Sequence, residues 1–258
     1  MPKTAAAAVY LYVLVHSERR PSLAGAPSGL PGTGPTRIIE AGPRLWLVAA
    51  DAPLARYGEA PIAEGLKNLD WVAERALAHE SVVRHFGRRR NAVPMRLFTL
   101  FSSDERAQDH VRQQQRRLRR VLARVSGCEE WGVRLFADEA VAPRPRVRAG
   151  APDAGRRFLE HKRAQHRATR TVPAATMKAA QSMVRELGRV ARDLRRHAVP
   201  AAAATNRMLV DAAFLVPAGS RPKFRAVLAK AASGARAQGV RVSLTGPWPP
   251  YNFVDQAS

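Results

Sequence analysis

Residues 5–15 read Ala-Ala-Ala-Ala-Val-Tyr-Leu-Tyr-Val-Leu-Val, eleven apolar or aromatic positions without a break. No other run constrains the fold as much. It falls short of the ~18 to 20 residues that a membrane-spanning helix needs. It alternates Tyr10, Tyr12 and Leu14 against Val9, Leu11 and Val13, which is how a buried strand reads. Lys3 ahead of the run imitates the start of a signal peptide. The two tyrosines argue against one, and so does the sequence His16-Ser17-Glu18-Arg19-Arg20, which stands where a small-residue cleavage site would follow.

The remaining elements follow from periodicity and turn residues. Residues 21–36 are rich in Pro, Gly and Ser and read as a flexible loop. Residues 37–40 and 45–50 are two short strands around a Gly42-Pro43 turn. Residues 67–86 form a helix whose inner face is Leu69, Val72, Ala73, Ala76, Leu77, Val83 and Phe86. Residues 92–101 are a strand with Pro94 at its start or on an edge, since proline gives no N–H to a ladder. Ser103 caps a helix with an apolar face of Ala107, Val111, Leu118, Val121, Leu122 and Val125, ended by Gly127. Residues 130–136 are a strand, 140–155 a Pro- and Arg-rich loop, and 158–167 and 174–197 helices. A strand at 208–216, a helix capped by Ser220 and carrying Phe224, Val227, Leu228, Ala231 and Ala235, and a strand at 240–244 complete the chain. The class is α+β with antiparallel pairing.

The chain has 43 Lys+Arg against 21 Asp+Glu, a net charge of +22. Residues 1–83 are neutral; 84–124 carry +9, 125–143 carry −3, 144–197 carry +11 and 198–258 carry +5. Such an excess suits nucleic acid, anionic lipid or an acidic protein. Only six of the 43 are Lys and Ala is frequent, so it equally fits a GC-rich coding sequence that places Arg at ordinary solvated positions. At 46 % hydrophobic residues the chain is too apolar for a disordered polyelectrolyte.

Signals for chemistry are missing. The sequence has no Walker loop, no dinucleotide-binding glycine fingerprint and no Gly-x-Ser-x-Gly elbow. Its single cysteine, Cys128, excludes an intrachain disulfide and a Cys-based zinc site, and reads as a small buried residue. His79 and His85 are six apart and His161 and His166 five apart, so neither pair shares a helix face as metal ligands would. Glu129 and Glu130 are adjacent on a strand and point to opposite faces, so they make no acid–base pair. Phe98, Phe101, Phe136 and Phe214 lie outside any RNA-stacking signature and read as core. No enzyme, cofactor or metal is indicated.

The most specific segment is Leu244-Thr245-Gly246-Pro247-Trp248-Pro249-Pro250-Tyr251-Asn252-Phe253-Val254. It resembles the closing motif of the GvpF/GvpL family of gas vesicle proteins. Other segments agree in the family's order: Tyr10-Leu11-Tyr12-Val13, the 69–86 helix, Val93-Pro94-Met95-Arg96-Leu97-Phe98-Thr99, Glu130-Trp131-Gly132-Val133 and Ala213-Phe214-Leu215-Val216. The family usually reads Pro-x-Arg-Phe-Gly-Thr in the third of these, so Leu97 and Phe98 depart from it.

The resemblance implies a non-enzymatic, two-domain α+β protein needed for building gas vesicles. Its first domain would be 1–126. The second, 127–258, would be a modified ferredoxin-like fold with inserted helices around 156–197. The implied partners are the major gas vesicle shell protein, whose apolar face must be shielded before assembly, and other accessory proteins, in the gas vesicle and cytoplasm rather than a membrane. RNA or DNA is the alternative partner. Candidate binding residues are Trp248 and Tyr251, on a stiff proline segment that either faces a partner or straps the second domain, and Arg112, Arg116, Arg120 and Arg124, spaced every four residues.

Overall fold

A computed structural model describes residues 6–87, 91–138, 172–199 and 207–254. The expected loop at 140–155 and helix at 158–167 lie outside the described residues. The chain divides into two compact units, Met1–Glu130 with Pro247–Ser258, and Trp131–Gly246. The C-terminal motif from Pro247 onward therefore belongs to the first unit, not to the second as the resemblance implied.

The first unit is built on an antiparallel sheet in the order β2-β3-β1-β4, where β1 is Ala7–His16, β2 Arg37–Gly42, β3 Leu45–Pro53 and β4 Asn91–Pro94. A short β5, Leu100–Phe101, also pairs with β1. The expected single strand at 92–101 is thus two pieces, and Pro94 ends the edge piece. β1 contains a bulge: Leu11 faces Ala49 and Val13 faces Val48, leaving Tyr12 as the extra residue. A bulge resets side-chain alternation. Tyr10, Tyr12, Val13 and Val15 consequently share one core, and Leu14 leaves the tyrosine side that simple alternation gave it.

That core is closed by α3, Leu69–Gly87, through Val82, Val83 and Phe86. Asn68 caps α3, its Oδ1 accepting from the N–H groups of Asp70 and Trp71 at 3.0 and 3.1 Å. Two short helices, α1 Leu54–Tyr57 and α2 Glu59–Gly65, precede it without a periodic signal. The alternate residues Leu11, Leu14, Leu45 and Leu47 are equally buried. They point away from α3, toward α4 (Asp104–Gln113) and α5 (Gln115–Val125), which pack against β2 and β4 respectively.

Ser103 caps α4 as expected, accepting from Arg106 N–H. The expected single helix breaks at Gln114. Between Val111 and Leu118 the sequence is Arg-Gln-Gln-Gln-Arg-Arg, so no apolar contact holds the helix straight, and each half follows its own strand.

In the second unit, β6 (Cys128–Ala137), α6 (Ala174–Gly188), β7 (Asp193–His197), β8 (Met208–Pro217), α7 (Arg221–Arg236) and β9 (Val240–Trp248) follow one another. The strand order is β7-β8-β6-β9, the split β-α-β arrangement of ferredoxin-like folds. Both helices share one core with the sheet, built on Trp131, Val133, Leu135, Met183, Leu187, Phe214 and Phe224. The expected helix at 174–197 stops at Gly188, and residues 193–197 are an edge strand paired with β8. Leu194 keeps a helical spacing from Leu187 and Ala191 but reaches the core as a strand residue opposite Phe214. The charges at Arg195 and Arg196 suit an edge. Ser220 has helical φ and ψ and gives no side-chain cap, whereas Pro222 lies in the first turn of α7 as expected. A Cβ on Gly132 would lie 2.5 Å from Thr245 Oγ1, so two motifs far apart in sequence meet here and a larger residue would have to displace the threonine side chain.

Candidate docking surfaces

The proline segment that follows β9 returns to the first unit and docks through three consecutive side chains. Pro249 and Pro250 limit its backbone, Tyr251 N–H bonds Pro249 O (2.8 Å), and a 3-10 turn at Tyr251–Phe253 is closed by Phe253 N–H to Pro250 O (3.0 Å). The Tyr251 hydroxyl donates to Glu80 Oε2 on α3 at 2.8 Å. Asn252 donates its backbone N–H and its side-chain amide to the Glu130 carboxylate, on a residue only 5 % exposed. Phe253 is fully buried, with the Arg124 guanidinium 5.9 Å from its ring centroid. Burial raises the Glu80 carboxyl above the usual carboxylate range, the Tyr251 hydrogen bond opposing the shift. Burial also pushes the Tyr251 phenol upward, reinforced by the Glu80 charge.

Beneath this strap lies a saturated polar cluster. His79, 3 % exposed, has Nε2 3.1 Å from Met95 O and Nδ1 2.7 Å from the Tyr10 hydroxyl. A carbonyl only accepts, so Nε2 carries the proton and Tyr10 donates to Nδ1. The Tyr10 oxygen in turn accepts from Phe98 N–H at 3.2 Å, and the Tyr12 oxygen accepts from Leu30 N–H at 3.0 Å. Burial lowers the His79 pKa to about 4, keeping the ring neutral. Every polar atom of this pair is spent on holding the fold, an arrangement suited to packing rather than to proton transfer.

The predicted site residues separate. Trp248 is 41 % exposed, while Tyr251 is tied to Glu80. The segment is therefore a strap on the first unit, with Trp248 and not Tyr251 presented outward. The arginines do not form one stripe: Arg112 is on α4 and pairs with Asp109, Arg116 and Arg120 are exposed on α5, and Arg124 turns in toward Phe253. Cys128 is half-buried.

A surface that periodicity mistook for core emerges on α3. Leu69 is 83 % and Leu77 72 % exposed, with exposed Ala73 between them and Leu66, 54 % exposed, just before the helix. Positions 69, 73 and 77 are four apart, one side of the helix over about 12 Å. The core side instead includes Arg75 and His79. The Arg75 guanidinium lies 4.0 Å from the Trp71 ring centroid and donates to Trp71 O and Glu74. Residues that bury by pairing are invisible to a count of apolar positions, so the inner face was read too far round the helix.

Among the described residues no helix is long and apolar enough to cross a membrane, and no group of three His, Cys, Asp or Glu is placed to hold a metal ion. The family model for gas vesicle synthesis protein GvpL/GvpF matches residues 8–255, and the chain belongs to that family. It is 31 % identical over 253 residues to gas vesicle protein L of Streptomyces sp. (strain CB03234), covering 93 % of this chain and 91 % of that one. Its fold is similar to the crystal structures of GvpF from Anabaena sp. PCC7120 and from Microcystis aeruginosa. The first has TM-score 0.67 and 17 % identity and covers 98 % of both chains; the second has TM-score 0.63 and 15 % identity and covers 96 % of this chain and 99 % of that one. The resemblance read from the ordered motifs thus holds over nearly the whole chain.

Proposed function

We propose that this protein is a non-enzymatic accessory or minor structural component of gas vesicle assembly, acting in the gas vesicle and cytoplasm by binding the major shell protein and other accessory proteins. The observation that carries this reading is the exposed Leu69–Ala73–Leu77 side of α3. A stable helix leaves two leucines more than two-thirds exposed at little folding benefit, and contiguous apolar surface on a folded protein marks a place where a partner is covered. A very apolar shell subunit needs such cover before it polymerises. Trp248 offers a second apolar contact.

The test is a pull-down with the full chain as bait, from nuclease-treated lysate of cells expressing a gas vesicle gene set, at roughly 0.5 M salt, where surface charge is screened beyond a few ångströms. Apolar binding persists or strengthens under these conditions. Retention of the shell protein by the wild type and its loss from the Leu69→Gln/Leu77→Gln variant supports the reading. Recovery of nucleic acid alone, and only when salt and nuclease are omitted, sinks it in favour of an RNA- or DNA-binding role.

A further inference from the structure

A cleft of about 520 Å³ opens in the first unit between the β2–β3 turn and α5, lined by Arg44 on one side and Arg119 on the other. We propose that this cleft binds an acidic, amphipathic segment of a partner protein, with carboxylates on Arg44 and Arg119 and an apolar side chain between them. It lies on other elements than the leucine side of α3, so the inference goes beyond the assembly reading and does not depend on it.

Three observations carry the inference. The first is charge: residues 110–128 contain six arginines and no Asp or Glu, so the α5 side of the cleft has no acidic residue of its own. Arg116, Arg119 and Arg120 are exposed there at mutual spacings of one, three and four, and like charges three and four apart oppose the helix that carries them. The second is backbone: Arg44 has φ 64°, the left-handed region that glycine occupies without strain. An arginine at a position where glycine would serve the turn better points to a use for its side chain. Its Nε already holds a carboxylate, that of Glu18, at 2.9 Å with both groups more than half exposed, the kind of rim pair that exchanges readily.

The third observation is the floor. Leu122 and Ala123 supply apolar surface, and on the polar wall Ser126 Oγ donates to Asn91 Oδ1 at 2.7 Å. Single-stranded nucleic acid is held by aromatic side chains on which bases stack. Among the described residues that line the cleft the one aromatic ring is the His16 imidazole, so an apolar side chain flanked by carboxylates fits better than a base flanked by phosphates.

The test uses fluorescence anisotropy on the purified full chain, without any gas vesicle component, at about 0.15 M salt. The probes are a labelled 15-residue Glu/Leu amphipathic peptide, the same peptide with Gln for Glu, and an oligothymidine of matched charge. The expected result is binding of the acidic peptide, weakened at least tenfold by Arg44→Gly and by Arg119→Glu and unaffected by Arg225→Glu on α7. Arg44→Gly should also raise or leave unchanged the melting temperature, which separates lost recognition from lost folding. The inference is overturned if the acidic peptide does not bind, if the Gln peptide binds equally, if Arg225→Glu weakens binding as much, or if the oligothymidine binds more tightly and loses as much in the same variants.

Discussion

The Glu130 carboxylate takes two hydrogen bonds from a single residue, Asn252, one from its backbone N–H and one from its side chain. A buried carboxylate that loses a donor keeps its desolvation penalty. Asn252→Ala is therefore expected to destabilise the protein by about 1–3 kcal/mol, read as a lower urea midpoint at unchanged m. Unchanged stability would mean that Asn252 does not anchor the strap.

His79 makes stability depend on pH with a definite sign. Its folded pKa is lowered from 6.5 to about 4, so between these values the unfolded chain binds a proton that the folded chain refuses. Its contribution is complete above about pH 6.5 and is lost as pH falls toward 4, in total about 3 kcal/mol. His79→Gln, which can still donate to Met95 O, should be less stable at pH 7 and should show a correspondingly shallower decline between pH 6.5 and 4. A slope equal to wild type would remove His79 from the account.

Phe98 has φ 64° at the position where the family usually carries glycine. Its ring stacks near Trp71, centroids 5.5 Å apart, and its N–H is held by the Tyr10 oxygen. Phe98→Ala and Phe98→Gly both lose the ring, but only glycine relieves the backbone. The Gly variant should be the more stable of the two by about 1 kcal/mol, the reverse of the usual order away from turns. Thermal melts of both decide it.

Leu69→Gln and Leu77→Gln should each change stability by no more than about 0.5 kcal/mol, as exposed positions do. Phe86→Ala, at a fully buried site on the same helix, should cost about 3–5 kcal/mol. A loss of several kcal/mol at Leu69 or Leu77 would return them to the core and remove the surface on which the shell-binding reading rests.

Much of the fold was legible because local rules and tertiary needs agreed. β1, the Gly42-Pro43 turn, the Ser103 cap and the strand at β8 all carry their cause in a few neighbouring residues. The failures share a different origin. The inner face of α3 depends on Arg75 finding Trp71 and His79 finding Tyr10, contacts whose partners are distant or aromatic and leave no periodic trace. The phase of β1 depends on a bulge that no residue type announces. Leu194 satisfies a helical spacing and a strand pairing alike, and only its partner Phe214 decides between them. The closing motif was visible as a motif, but its seat was not, since Glu80 and Glu130 lie 171 and 122 residues away from the residues they hold.

That seat has a consequence for biosynthesis. A ribosome delivers the sheet, α3 and Glu130 first, then all of residues 131–246, and only afterward the residues that cover them. Throughout that interval the place of Phe253 stands open and the Glu130 carboxylate lacks its Asn252 donors. A nascent chain interrupted anywhere in the second unit thus displays uncovered apolar surface on the first, the feature by which chaperones and proteases find incomplete products. Translation through residue 253 is what removes it, so the first unit closes only after the whole of the second has been made.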